Sequence, residues 1–136
     1  MRYMLDTNTL IYVLNARPQH QAVLDRFNQH DPRNLCLSSI TLAELRFGVE
    51  QSQRRDSTQV KLDRVIAALQ VVPFEDRAAR AYGSVRALLQ AAGKPIGPLD
   101  TLIAAHALCQ SLTLVTNDTG EFSRVPGLLI ENWIAA

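Results

Sequence analysis

The sequence predicts an α/β fold, a parallel sheet with helices on both faces. Two observations carry that expectation. Short apolar runs (Tyr3–Leu5, Leu35–Leu37, Val71–Phe74, Leu112–Thr116 and Leu128–Ile130) are separated by longer segments whose apolar residues recur at helical spacing. Acidic residues also stand where strands give way to turns or helices, at Asp6, Glu44, Asp100 and Asp118. In a parallel sheet the strand ends share one edge, and ligands bind beyond it where the strand order reverses. At 136 residues the chain is expected to form a single domain over 1–136, burying roughly two thirds of its unfolded surface.

Each element has a local reason. Tyr3–Leu5 is a buried strand, followed by a short helix over Thr7–Leu14 capped near Thr7 or Asn8. Pro18 suits a first helical turn, and Val23, Leu24 and Phe27 give the segment from Pro18 to about Gln29 one apolar side. Asp31-Pro32-Arg33-Asn34 is a turn cluster before the second strand, Leu35–Leu37. Ser38 and Ser39 offer caps to a helix with Leu42, Leu45 and Val49 spaced three and four apart. The polar stretch 51–57 reads as a loop, and Leu62, Val65, Ile66 and Leu69 mark the helix after it. Val71–Phe74 is a short strand, and Pro73, which has no N–H to donate, suits an edge position. Ala78, Tyr82, Val85 and Leu89 define a helix from Glu75 to Ala92 that stops at Gly93. Gly97-Pro98 opens an apolar helix running to about Cys109, and strands at Leu112–Thr116 and Leu128–Ile130 follow.

Composition narrows the class. Apolar residues make up 47% and charged residues 20%, which describes a globular rather than a disordered chain. A net charge of only +1 argues against coating nucleic acid by bulk electrostatics. Among the basic residues Arg outnumbers Lys, which occurs only at Lys61 and Lys94. The planar guanidinium fork suits phosphate, but the bias alone decides nothing. Cys36 and Cys109 lie in apolar runs and read as buried free thiols of a reducing cytosol. His20, His30 and His106 are scattered, and without a Cys-x-x-Cys pair they offer no structural zinc pattern. The first residues lack the roughly 7–15-residue apolar core of a secretory signal. No stretch reaches the ~20 apolar residues of a membrane span. A soluble cytoplasmic protein with no membrane attachment is expected.

Carboxylates that converge repel one another unless a hard cation neutralises them, and Mg²⁺ or Mn²⁺ is the usual choice. The pattern therefore points to a metal-dependent enzyme acting on phosphate esters. Each acid also has an ordinary explanation. Asp6 could cap the next helix, but Thr7 and Asn8 compete for that role. Asp100 could offset a helix dipole, yet its neighbours Leu99 and Leu102-Ile103-Ala104-Ala105 are apolar, and a lone buried carboxylate is costly. Thr41-x-x-Glu44 is formally a capping box, weakened by the rival caps Ser38 and Ser39. Asp118 sits in Asn117-Asp118-Thr119-Gly120, a turn composition, and Glu121 three residues on could replace or assist it. His106 lies on the Asp100 helix, but six residues turn a helix by about 600°, so a core or interface histidine is expected. Tyr82 and Trp133 read as packing residues, and no phosphate loop, nucleophile elbow or dinucleotide fingerprint is present.

Taken together, these motifs resemble those of PIN-domain ribonucleases. Met4-Leu5-Asp6-Thr7-Asn8 is similar to the family's opening, and Ser38 to Leu45 followed by Gly48 to its second motif. Gly97-Pro98-Leu99-Asp100 with Ile103-Ala104-Ala105 resembles the third, and Val115-Thr116-Asn117-Asp118 with Glu121-Phe122 the fourth. The likeness spans essentially the whole chain and is strongest to the VapC toxins of bacterial toxin–antitoxin pairs. It implies a PIN-like three-layer α/β/α fold with a five-stranded parallel sheet. It further implies an endoribonuclease using Mg²⁺ or Mn²⁺, homodimerisation, and a VapB-type antitoxin that inhibits by placing a basic side chain in the acidic pocket. Mapped onto this chain, Asp6 and Asp100 become the principal metal ligands, Glu44 and Asp118 complete the acidic set, and Thr116 helps orient it. Glu121 and Asn8 are further candidates. By family habit tRNA is the leading substrate, with rRNA and mRNA open.

Rival enzymes fit less well. A haloacid-dehalogenase-like phosphatase needs a second Asp where Asn8 stands, and a response-regulator receiver needs paired acids after strand one and a strand-end Lys. A PIN-like module that binds RNA or a partner without cutting is the remaining alternative. Loss of an acid would favour it, and none is missing.

Overall fold

In the computed structural model, which describes residues 1–134, five strands form one parallel sheet. They are β1 (Tyr3–Leu5), β2 (Leu35–Ser38), β3 (Gln70–Val72), β4 (Thr113–Val115) and β5 (Ile130–Glu131), in the order β3-β2-β1-β4-β5. The helices are α1 (Thr7–Leu14), α2 (His20–Gln29), α3 (Ser39–Gln51), α4 (Arg55–Ala67), α5 (Asp76–Ala91), α6 (Pro98–Cys109) and the single turn α7 (Thr119–Phe122). The chain steps outward from β1 to β2 to β3, then returns to place β4 on the other side of β1. That reversal puts the switch point between β1 and β4, where Met4 pairs with Leu114 and Leu5 with Val115.

Period-two alternation along the strands divides the core into two layers. Tyr3, Leu5, Leu35, Leu37 and Val115 face Leu10, Val23, Leu45 and Leu62 of α1–α4. Met4, Cys36 and Leu114 face Val85, Leu89, Ile103 and Ala104 of α5 and α6. Burying each such Leu or Ile side chain contributes roughly 1.5–3 kcal/mol. A one-residue slip in strand register would turn these side chains to the wrong layer, so the packing also fixes what stands at each strand end. The expected three-layer α/β/α architecture is what forms.

Several boundaries differ from expectation, each for a local reason. Gln19 adopts a left-handed backbone (φ 73°), so α2 begins at His20 and Pro18 stays outside it. The N-cap of α1 is Asp6, not Thr7 or Asn8. The loop at 51–57 is shorter, because Ser52 Oγ accepts the Arg54 N–H at 3.1 Å and meets Thr58 Oγ1 at 2.9 Å, and α4 starts at Arg55. Strand β3 covers 70–72 rather than 71–74. Phe74 leaves the ladder and donates its N–H to Ser39 Oγ at 3.0 Å, with β3 at the sheet edge as Pro73 requires. Strand β5 begins at Ile130, since Leu128 is still in a turn, its N–H bonded to Val125 O. Gly93 (φ +68°) ends α5 as expected.

Both cysteines are free. Cys36 is buried, and burial pushes its thiol up to about 12. Cys109 is only half-buried, which corrects the expectation of two buried thiols. Trp133 is buried, stacked on His30 and edge-on to Tyr3, as a packing residue should be. Among the described residues no helix is long and apolar enough to cross a membrane.

Candidate active site

Asp6 is the first residue beyond β1 and is 2% exposed. Its N–H donates to Val115 O of β4 at 3.0 Å, and its carboxylate caps α1 by accepting the Thr9 N–H at 2.8 Å. The capping explanation for Asp6 is therefore correct and does not compete with a functional one, because one oxygen suffices for the cap. Thr116, buried beyond β4, lies with its side chain close enough to Asp6 to favour the ionised carboxylate, and accepts the Asp118 N–H at 3.0 Å. One hydroxyl thus ties the two strand-end acids together.

Asp118 caps α7, accepting the Glu121 N–H at 3.3 Å. The Glu121 carboxylate accepts the Gly97 N–H at 2.8 Å, pinning α7 to the start of α6. Asp100 lies in the first turn of α6, and one carboxylate oxygen from each of Asp100, Asp118 and Glu121 lies within 4.8 Å of the others. Glu44 comes from α3 and accepts the Thr7 hydroxyl at 2.7 Å. The cap of α3 is Ser38, so Thr41 is inside the helix and the capping-box explanation of Glu44 is overturned.

These acids act on one another. Asp100 is pushed up to about 7 by partial burial first, then by the charges of Glu121, Asp6, Glu44 and Asp118. Asp6 is also raised, chiefly by burial, against the lowering effect of Thr116 and of its bond to Thr9. Among the described residues no ion pair reaches any of the five carboxylates. At an effective dielectric of about 20, two unit charges 4.8 Å apart repel by roughly 3.5 kcal/mol. Clustered hard oxygens with no cationic side chain among them fit a Mg²⁺ or Mn²⁺ ion.

A pH dependence follows. The folded-state pKa of Asp100 lies above its ordinary value of 3.8. Its stabilising contribution is therefore full below pH 3.8 and is lost as pH rises through about 7. In EDTA the melting temperature is expected to fall between pH 5 and pH 8, and the fall should be smaller in Asp100→Asn. Parallel melting curves for the two proteins would refute this.

The structure gathers Asp6, Glu44, Asp100, Asp118, Thr116 and Glu121 around one edge of the sheet. Asn8 is exposed on α1, and no described contact ties it to the carboxylates. His106 is fully buried and apart from the acids, as expected. Thr7 and Gly97 stand in the motifs read from sequence, but nothing there shows that Thr7, Thr9 and Gly97 hold Glu44, Asp6 and Glu121. The one available signal was Gly97 before Pro98, a helix start with no capping side chain.

Comparison with known proteins agrees with this geometry. The sequence profile of the PIN domain matches residues 3–128. The tRNA(fMet)-specific endonuclease VapC of Salmonella typhimurium is 41% identical over 133 residues, covering 98% of each chain. Ribonuclease VapC2 of Rickettsia felis is 40% identical over 134 residues, again covering 98% of each. Among solved structures, DNA-bound VapBC from Salmonella typhimurium superposes with a TM-score of 0.92 at 39% identity over 98% of both chains. VapBC2 from Rickettsia felis bound to a promoter DNA fragment gives 0.87 at 39% identity, over 98% of this chain and 99% of that one. The chain belongs to the PIN domain family.

Proposed function

We propose that this protein is a metal-dependent endoribonuclease, the toxin of a VapBC-type toxin–antitoxin pair, hydrolysing RNA phosphodiester bonds with tRNA as the leading substrate. The observation that carries the reading is the meeting of Asp6, Glu44, Asp100, Asp118 and Glu121, drawn from four separate segments, with no ion pair to any of them among the described residues. The relatives named for tRNA and RNA cleavage support it over a phosphatase. Asp6 and Asp100 would hold Mg²⁺ or Mn²⁺ with Asp118 and Glu121 around them, the protein being cytoplasmic and homodimeric with a VapB-type antitoxin as partner.

When bound, the cation supplies Lewis-acid stabilisation of the phosphate and a more acidic water. The chain's own residues do the rest. Glu44, held by the Thr7 hydroxyl, stands at the rim of the cluster, where it can accept a proton from an attacking water as general base. Thr116 fixes the orientation of Asp6 and of the Asp118 backbone, so neither has to reorganise during the reaction.

Purified protein incubated with total RNA and Mg²⁺ should release discrete fragments from one or a few tRNAs, and a VapB-type antitoxin should stop it. Intact tRNA, rRNA and mRNA after prolonged incubation would overturn the reading. Light scattering at micromolar concentration should give about twice 15.1 kDa, and a strict monomer would refute the dimer. Asp118 and Glu121 can also be ranked. Asp118 is fixed through Thr116 at the strand end, whereas Glu121 already accepts a bond from Gly97. Asp118→Ala should need more Mg²⁺ and turn over more slowly than Glu121→Ala. The reverse order would make Glu121 the fourth acid.

A further inference from the structure

Helices α3 and α6 carry Glu44 and Asp100, and a buried hydrogen bond joins their frameworks beneath the carboxylates. It runs between His106 Nδ1 and Ser38 Oγ at 2.8 Å, linking residues 68 apart in sequence, both 0% exposed. His106 lies about 9 Å further along α6 than Asp100, from the helical rise of about 1.5 Å per residue. Ser38 is both the last residue of β2 and the N-cap of α3, its Oγ accepting the Ile40 N–H at 3.1 Å. With that N–H occupying one lone pair, the hydroxyl proton is free to go to Nδ1 of a neutral ring. Phe74 packs edge-on against the ring at 5.3 Å, so the ring has a fixed setting.

A histidine selected only to fill this space would be a poor choice. Its Nε2 is buried without a hydrogen-bond partner of full geometry, although the ring lies near the Pro73 backbone. A buried polar atom left so costs roughly 1–3 kcal/mol, which an apolar side chain of similar size would avoid. What the imidazole supplies and a leucine cannot is the bond to the cap of α3.

We propose that His106 is a positioning residue. Its bond to Ser38 sets α3 against α6, hence Glu44 relative to Asp100, and so tunes the affinity of the acidic cluster for a divalent cation. The proposal rests on the reading of that cluster as a metal site. Support shells of this kind are typically worth 10–100-fold in metal affinity.

The test uses the full chain and variants His106→Leu, His106→Asn and Ser38→Ala. Mn²⁺ binding is measured by calorimetry without RNA, and the Mg²⁺ concentration for half-maximal cleavage alongside it. Asn places an amide about where Nδ1 lies, so it keeps the bond to Ser38, whereas Leu keeps volume without the bond. His106→Leu should bind Mn²⁺ about tenfold or more weakly, His106→Asn should return close to wild type, and Ser38→Ala should weaken binding as His106→Leu does. The double variant His106→Leu with Ser38→Ala should be no weaker than the worse single one, because both remove the same bond. Wild-type affinity in His106→Leu, or no recovery in His106→Asn, would overturn the proposal. If His106→Leu does not fold, His106→Phe replaces it, losing the bond while leaving the Ser38 cap of α3 intact, with wild-type Mn²⁺ affinity overturning the idea and tenfold weakening upholding it; wild-type affinity in Ser38→Ala overturns it as well. Wild-type protein that binds no Mn²⁺ would instead overturn the metal reading beneath it.

Discussion

Asp100→Asn is expected to leave a folded protein whose RNA cleavage falls by roughly two to four orders of magnitude. Asn is nearly isosteric with Asp, so packing around the first turn of α6 is preserved while one anionic ligand is lost. Charge stabilisation by a bound metal is worth several kcal/mol, and about 1.36 kcal/mol corresponds to each tenfold in rate. Asp6→Asn should behave alike. Asn caps a helix about as well as Asp, so the bond from the Thr9 N–H that starts α1 survives the change. In EDTA at pH 8 both variants should melt at or above the wild-type temperature, because each removes a charge from a mutually repelling set. Gel assays of cleavage with melting curves on the same preparations check both halves. Full activity with lowered stability in Asp100→Asn would mean that this carboxylate serves only the helix dipole.

Removing the metal is expected to have an equally large effect. Excess EDTA should bring cleavage to background, and Mg²⁺ or Mn²⁺ added back should restore it. Five carboxylates without a cation present negative potential to an RNA phosphate that is itself negative, so the site repels its substrate when empty. Divalent ion should also raise the melting temperature, since it binds only the folded arrangement. Undiminished cutting in EDTA would exclude the mechanism. It would leave the carboxylate cluster without an explanation.

The parallel α/β order was legible because it rests on local signals. Strand runs such as Tyr3–Leu5 and helical stripes such as Val85 and Leu89 carry their periodicity in the chain itself. Asp6, Asp100 and Asp118 stood out for a related reason, as polar groups placed where apolar runs stop. The misplaced boundaries have another origin. The late start of α2 depends on a left-handed turn at Gln19, and the end of β3 depends on Ser39 drawing away the Phe74 N–H. A positive φ is rare for a residue such as Gln, so the first is not signalled by residue type, and Ser39 lies 35 positions from Phe74, beyond the reach of propensity.

The kind of chemistry could be read from the chain alone: acids at strand ends in an apolar α/β frame, an arrangement whose mutual repulsion calls for a hard cation. Tertiary packing settled which acids share a face and what holds each. It excluded the capping box at Glu44 and gave that residue Thr7 instead, made Asp6 a cap and a site residue at once, and brought Glu121 beside Asp100 through Gly97. It also turned His106 from an ordinary core histidine into a buried link between two helices. The physical reason is range. Periodicity and capping act over three or four residues, whereas charge repulsion and burial act through space, and the pairs that matter here are separated by 24 to 68 positions.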